Sequence, residues 1–283
     1  MTPIVLGALS AFLFGAMTVF VRIGLGTGVA AEAGTLFTVL SALAVTAVVA
    51  VAQGELELAT AWPFLLAGLL SPGVSQILFT FAVRDAGASR TSMTVGTAPL
   101  FAVAIAFVFL DEPLVAGLIL GSVLIIAGGI LLASERRRPE YFRRIGLLFA
   151  VAGMIAFATR DNLVRWLGTG ATNIEPGLAA FATMLAGAAV AAGFVGVTHA
   201  SLTRRAAAAF LPAGLCYGLS YVILFEAFYR GRVSVVSPIV ATEALWGVAL
   251  SWLVLRQSER VGPRLVLGAA LIVTGGVLIG VYR

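Results

Sequence analysis

The sequence predicts an all-α polytopic membrane protein with ten transmembrane helices in two inverted five-helix repeats. Three observations lead there. Of 283 residues, 60% are hydrophobic and only 11% charged, with mean hydropathy +1.07, a balance typical of membrane-spanning chains and foreign to soluble domains. Apolar runs of about 20 residues, the length that crosses a bilayer as a helix, succeed one another with short charged or glycine-rich breaks. The pattern also recurs. A shift of 147 carries Glu112 onto Glu259, Gly121 onto Gly268 and Gly128-Gly129 onto Gly275-Gly276, and a shift of 143 carries Phe14-Gly15 and Val21-Arg22 onto Phe157-Ala158 and Val164-Arg165.

Taken in order, the runs cover Ile4–Leu25, Ala33–Ala52, Trp62–Val83, Ser89–Leu110 and Leu114–Ser134, then Ile145–Trp166, Gly177–Thr198, Ala207–Tyr229, Val233–Leu255 and Val261–Tyr282. The stretch Ser89 to Ser134 shows the unit clearly: two apolar runs flank one acidic corner, Asp111-Glu112-Pro113. The linker ERRRPEYFRR, Glu135 to Arg144, is the one strongly charged stretch and divides the chain into residues 1–134 and 145–283. Five spans is an odd number, so the second half enters the membrane from the opposite side, the inverted arrangement common in secondary transporters.

The net charge of +5 is carried by arginine alone. Those arginines sit at the ends of apolar runs, where cytoplasmic loops carry them, so a sequence pI near 10.1 does not point to nucleic acid. Cys216, the single cysteine, lies inside an apolar run and offers neither an intrachain disulfide nor a metal cluster. His199, the single histidine, falls in the loop after the seventh run and reads as a surface residue. The first run lacks a convincing cleavage site and reads as a retained helix.

Within the runs a few residues stand out. Glu243, in VATEALWG, is a carboxyl deep in the ninth run. A charge there is expensive and faces a cavity or a partner, so Glu243 reads either as a proton or amine site or as a neutral carboxyl bonded to a neighbouring helix. Glu226 with Arg230, and Asp161 with Arg165, are spaced i,i+4 and are expected to pair at helix ends. The repeat sets Arg160 and Asp161 opposite Met17 and Thr18, well inside the first run, which also allows a cavity-lining role. Pro72-Gly73, Pro99 and Pro238 interrupt helices, and a broken helix at membrane depth is tolerated where it lines a cavity. Aromatic residues gather in the same runs, with Tyr217, Tyr221, Leu224 and Phe228 on one helical face, a stripe that suits helix packing or an aromatic solute. Ala186-Gly187-Ala188-Ala189 reads as close helix packing.

Ten spans, a repeat of five, and a fourth span with a mid-helix proline followed by FLDEP and GLILGSVLIIAGGILL resemble the EamA-type branch of the drug/metabolite transporter superfamily over the whole chain. Within that branch the chain looks most like the YddG-type aromatic amino-acid exporters. The second copy departs from the pattern: Trp246 stands where Pro99 has its counterpart, and Arg256-Gln257-Ser258-Glu259 replaces the approach to the acidic corner. The resemblance implies a secondary transporter that exports small metabolites, amino acids with aromatic or other hydrophobic side chains among them, across a bacterial inner membrane by alternating access. It implies a monomer in the bilayer, with no cofactor, no metal and no nucleic-acid partner. The cavity is expected among spans one, three, four, six, eight and nine. The solute-site candidates are Phe14, Met17, Phe79, Pro99, Leu100, Ala158, Asp161, Tyr217, Tyr221, Glu243 and Trp246, the last as the counterpart of Pro99. The alternative is an intramembrane enzyme acting on a lipid or peptide, but one His, one Cys and no aspartate cluster supply none of the motifs such chemistry needs. Arginine distribution places the linker in the cytoplasm and both ends of the chain in the periplasm, whereas members of the resembled branch are usually drawn with both ends inside.

Overall fold

The computed structural model describes residues 1–54, 58–109, 116–134, 141–171, 174–255 and 262–281. The acidic corner at 111–113, its counterpart at 256–259 and most of the basic linker lie outside them. Among the described residues the long elements are all helices, joined by short turns. Span one is Pro3–Gly26, span two Ala31–Ala52, span five Ala116–Ser134, span six Ile145–Trp166, span seven Pro176–Thr198, span eight Arg204–Arg230 and span ten Pro263–Val281. Among the described residues, seven helical stretches are long and apolar enough to cross a membrane; spans four, five and ten complete the set of ten. The outside is apolar, with Val48, Leu66, Phe109, Leu148 and Trp252 more than half exposed, while Gln76, Thr80, Arg160, Asp161 and Glu243 are buried. That inversion of the soluble pattern follows from a solvent of hydrocarbon.

The remaining spans are broken. Span three runs as Trp62–Gly68 and Ser75–Ala86 around a π-helical turn at Leu69–Val74, where Ser71 leaves the helical region (φ −145°, ψ 116°) and Pro72 has no N–H to donate. Span four is Ala88–Val95 followed by Ala98–Phe109, and span nine is Val233–Val240 followed by Glu243–Val254. Pro99 therefore opens the second half of its span, where proline costs nothing. Glu243 is the first residue of a half-helix and not the midpoint of a continuous one.

Packing follows the doubled pattern. Span one lies on span eight as span three lies on span six; span two faces span seven; the first half of each of spans four and nine packs on the second half of the other. Spans five and ten cross at glycines: a Cβ on Gly128 would stand 2.6 Å from the Gly268 carbonyl oxygen, and one on Gly275 would stand 2.5 Å from that of Gly121. These are the glycines that the 147-residue shift equates, so the crossing maps onto itself when the halves are exchanged. Backbones this close are the small-residue interfaces that membrane helices use in place of a hydrophobic driving force.

The two ends of the bundle differ. At the linker end, the Arg22 guanidinium lies 3.6 Å from the centroid of the Tyr141 ring, Arg90 lies 5.7 Å from that of Phe142, and the Arg143 N–H donates to the Asp85 carbonyl at 2.7 Å. Asp85 receives Arg84 through both carboxylate oxygens, at 2.8 and 2.9 Å. At the opposite end Arg230 pairs with Glu226 as its spacing suggested. Arg165 does not pair with Asp161; its Nη1 donates to the carbonyls of Phe228 (2.9 Å) and Tyr229 (3.2 Å). The last carbonyls of a helix have no intrahelical donor, and Arg165 supplies one to span eight.

Candidate functional site

The breaks in spans four and nine face each other. A Cβ on Gly96 would stand 2.6 Å from that of Ala244, so the two interruptions sit back to back in the membrane interior. Each is stabilised locally by a threonine: Thr97 Oγ1 donates to the Thr94 carbonyl and Thr242 Oγ1 to that of Ile239, both at 2.7 Å. Beside them lies a narrow, partly open cavity of about 30 Å³.

Its wall is built from five spans. Phe14 and Met17 come from span one, Phe79 from span three, and Val95, Ala98 and Pro99 from span four; span six adds Phe157, Arg160 and Asp161, and span nine adds Ser237, Val240, Ala241 and Glu243. Phe79 and Phe157 meet edge to face with ring centroids 6.1 Å apart. The wall therefore combines aromatic rings with three ionisable groups, Arg160, Asp161 and Glu243.

Arg160 and Asp161 are 3% and 4% exposed. Neighbours in a helix do not face each other, yet the long arginine folds back so that Nε and Nη2 both reach Asp161 Oδ1 at 2.8 Å. The guanidinium stacks 4.9 Å from the Tyr221 ring centroid and 5.7 Å from that of Phe157, an aromatic setting that suits a planar cation. Its Nη1 has no hydrogen-bond partner among the described residues. One residue on, Asn162 Nδ2 donates to Ala102 (3.0 Å) and Ala158 (2.9 Å), tying span six to span four beside the cavity. Glu243, 7% exposed, opens the second half of span nine, where the unpaired N–H groups of a helix start favour a carboxylate.

Of the residues singled out from the sequence, Phe14, Met17, Phe79, Pro99, Asp161 and Glu243 stand on this wall. The others stand elsewhere. Leu100 packs beside the cluster that includes Met93, Ile125 and Ile272. Ala158 is in the core, its carbonyl held by Asn162. Tyr217 and Tyr221 are fully buried behind the wall, so span eight lines the cavity with none of its own side chains; Tyr221 donates its hydroxyl to the Ser71 carbonyl at 3.0 Å. Trp246 is 42% exposed and meets Phe12 edge to face at 5.2 Å on the outer surface. Its half-helix turns Glu243, Gly247 and Ser251 inward, and that leaves Trp246 facing out.

Phe157 and the Ser237–Ala241 segment were missed as wall residues, whereas Arg160, for which the repeat allowed a cavity-lining role, stands on the wall. The 143-residue shift equates Phe157 with Phe14, so a signal for it was present, and Pro238 marks the segment beside it.

The sequence matches the model of the EamA-like transporter family twice, over residues 1–134 and 144–281. No curated protein matches. A solved structure, described only as the crystal structure of a protein, is similar with a TM-score of 0.74 at 18% identity, over 98% of this chain and 95% of its own; at that identity the likeness speaks for the fold alone.

Proposed function

Because the chain belongs to the EamA-like transporter family and so serves to move small molecules across a membrane, we propose that it exports metabolites with an apolar body and an amino group, aromatic and other hydrophobic amino acids among them. On this reading it is a YddG-type exporter that works as a monomer in a bacterial inner membrane. The observation that carries the reading is the cavity whose wall brings Phe14, Phe79 and Phe157 together with Glu243 and the Arg160–Asp161 pair. An apolar wall supplies affinity, and a few fixed polar groups supply orientation. The cavity lies at the breaks of spans four and nine, where discontinuous helices of inverted repeats hold solute in secondary transporters. Alternating access follows if residues 1–134 and 145–283, joined by 135–144, tilt against each other about this point.

The test is counterflow in proteoliposomes. Vesicles preloaded with unlabelled phenylalanine or its amide are expected to take up the labelled compound faster than empty ones, and Glu243→Gln is expected to slow the exchange. Absence of counterflow for every amino acid and amine tried would overturn the proposal.

A further inference from the structure

Resting on that reading of the cavity, we infer that cargo is selected through its ammonium group and not through a carboxylate, so that aromatic amines and amino-acid amides are better cargo than the free amino acids. Three ionisable side chains line the cavity, and they are unequally free. Arg160 spends Nε and Nη2 on Asp161, its ring contacts hold the guanidinium plane, and only Nη1 lacks a partner. A carboxylate entering the cavity meets that one donor. To gain the two-pronged contact that arginine offers a free carboxylate, it must displace Asp161, which then stays buried without its cation.

Glu243 is in the opposite position. It is 93% buried by the complement of its exposure, it borders the cavity, and among the described residues no donor is hydrogen-bonded to its carboxyl. The formal charges are +1 on Arg160 and −1 each on Asp161 and Glu243, so the cavity carries −1 with all three ionised. An organic monocation brings that to zero; a zwitterion leaves it at −1 and finds one arginine donor, Nη1, instead of a two-pronged pair. The phenylalanine side chains of the wall offer an apolar surface to an aromatic body in either case. The ammonium is therefore the feature that Glu243 reads, and a carboxylate on the cargo is a burden.

The probes are phenethylamine, phenylalanine amide, phenylalanine and 3-phenylpropionate, competing against labelled tryptamine on the full-length protein in nanodiscs. Phenethylamine and the amide are expected to compete about tenfold or more better than phenylalanine, the gap expected from burying a carboxylate with incomplete pairing, and 3-phenylpropionate not at all. Glu243→Gln, nearly isosteric and checked for an unchanged melting temperature, is expected to erase the advantage of the amines. Phenylalanine or 3-phenylpropionate competing best would overturn this inference and leave the cavity as the transport site. No competition by any of the four, together with no counterflow, would overturn the reading of the cavity as well.

Discussion

Tyr217 and Tyr221 lie one turn apart on span eight, both fully buried, and the structure gives them opposite energetic roles. The Ser75 N–H passes over Ser71 and bonds the Leu70 and Pro72 carbonyls. The Ser71 carbonyl accepts from the Tyr221 hydroxyl at 3.0 Å. Tyr221→Phe removes that donor and keeps the ring, so the Arg160 stacking and the 4.8 Å Phe225 contact survive. The loss is a buried acceptor without a partner, about 1–3 kcal/mol in soluble proteins. Polar contacts between membrane helices average about 0.6 and reach about 1.7 kcal/mol. Because no water reaches a fully buried carbonyl to replace the bond, a cost of about 1–2 kcal/mol is expected. The Tyr217 hydroxyl has no partner among the described residues, so Tyr217→Phe is expected to be neutral or stabilising. Reversible unfolding in mixed micelles measures both. Equal losses, or a larger loss at Tyr217, would refute the reasoning, and so would a Tyr221→Phe protein with native stability and no affinity for aromatic cargo.

Two further outcomes follow from packing. Gly128→Leu at the crossing of spans five and ten forces a side chain against the Gly268 backbone and is expected to cost at least about 1–3 kcal/mol, seen as loss of a monodisperse peak in detergent. Gly193→Ala, where nothing lies within 4 Å, is the matched control and is expected to gain up to about 1 kcal/mol. Trp246→Ala is expected to leave the ranking of bulky and small cargo unchanged in counterflow, because Trp246 faces outward onto Phe12; selective loss of the bulky compounds would return it to the site.

The spans were legible because twenty-residue apolar runs have one physical meaning, and the repeat was legible because Gly121, Gly128, Gly268 and Gly275 recur at the points where backbones touch. Pro72, Pro99 and Pro238 stand at or within a few residues of the breaks, although Pro212 is carried inside the unbroken span eight. Side-chain direction was less legible. The i,i+4 rule paired Asp161 with Arg165, but that rule assumes side chains projecting from an exposed face. In the buried setting a flexible arginine one residue away folds back onto the carboxylate, and Arg165 is taken by the end of span eight. Equating Trp246 with Pro99 failed in the same way: position in a repeat fixes depth in the membrane, whereas the start of the half-helix at Glu243 fixes which way the next residues point. Tyr217 and Tyr221 share a face, as their spacing required, but no pattern in the sequence says that Phe14, Phe79 and Phe157 stand between that face and the cavity.

The distribution of arginine over the folded bundle sharpens the question of orientation. Packing gathers Arg22, Arg84, Arg90 and Arg143 at the linker end, Arg144 follows directly, and Arg205 joins them through a 3.1 Å bond from Nη2 to the Thr27 carbonyl, with Arg204 beside it. The opposite end, where a Cβ on Gly231 would stand 2.7 Å from that of Pro3, holds Arg165, Arg230 and Arg232, and Arg230 is offset by Glu226. Short loops obey the positive-inside bias strongly, so the linker end is expected in the cytoplasm and the Met1 end outside, against the arrangement usually drawn for the resembled branch. Cation–π contacts do not weaken the argument, because Arg22 over Tyr141 and Arg90 beside Phe142 keep their charge at the membrane boundary. A cysteine introduced by Arg144→Cys, exposed in the structure, in a Cys216→Ala background, is expected to resist an impermeant maleimide in intact cells and to label once the membrane is opened. Thr2→Cys is expected to label without opening. Ready labelling of the first and protection of the second would overturn the charge argument, because no redistribution of these arginines reverses the excess at the linker end.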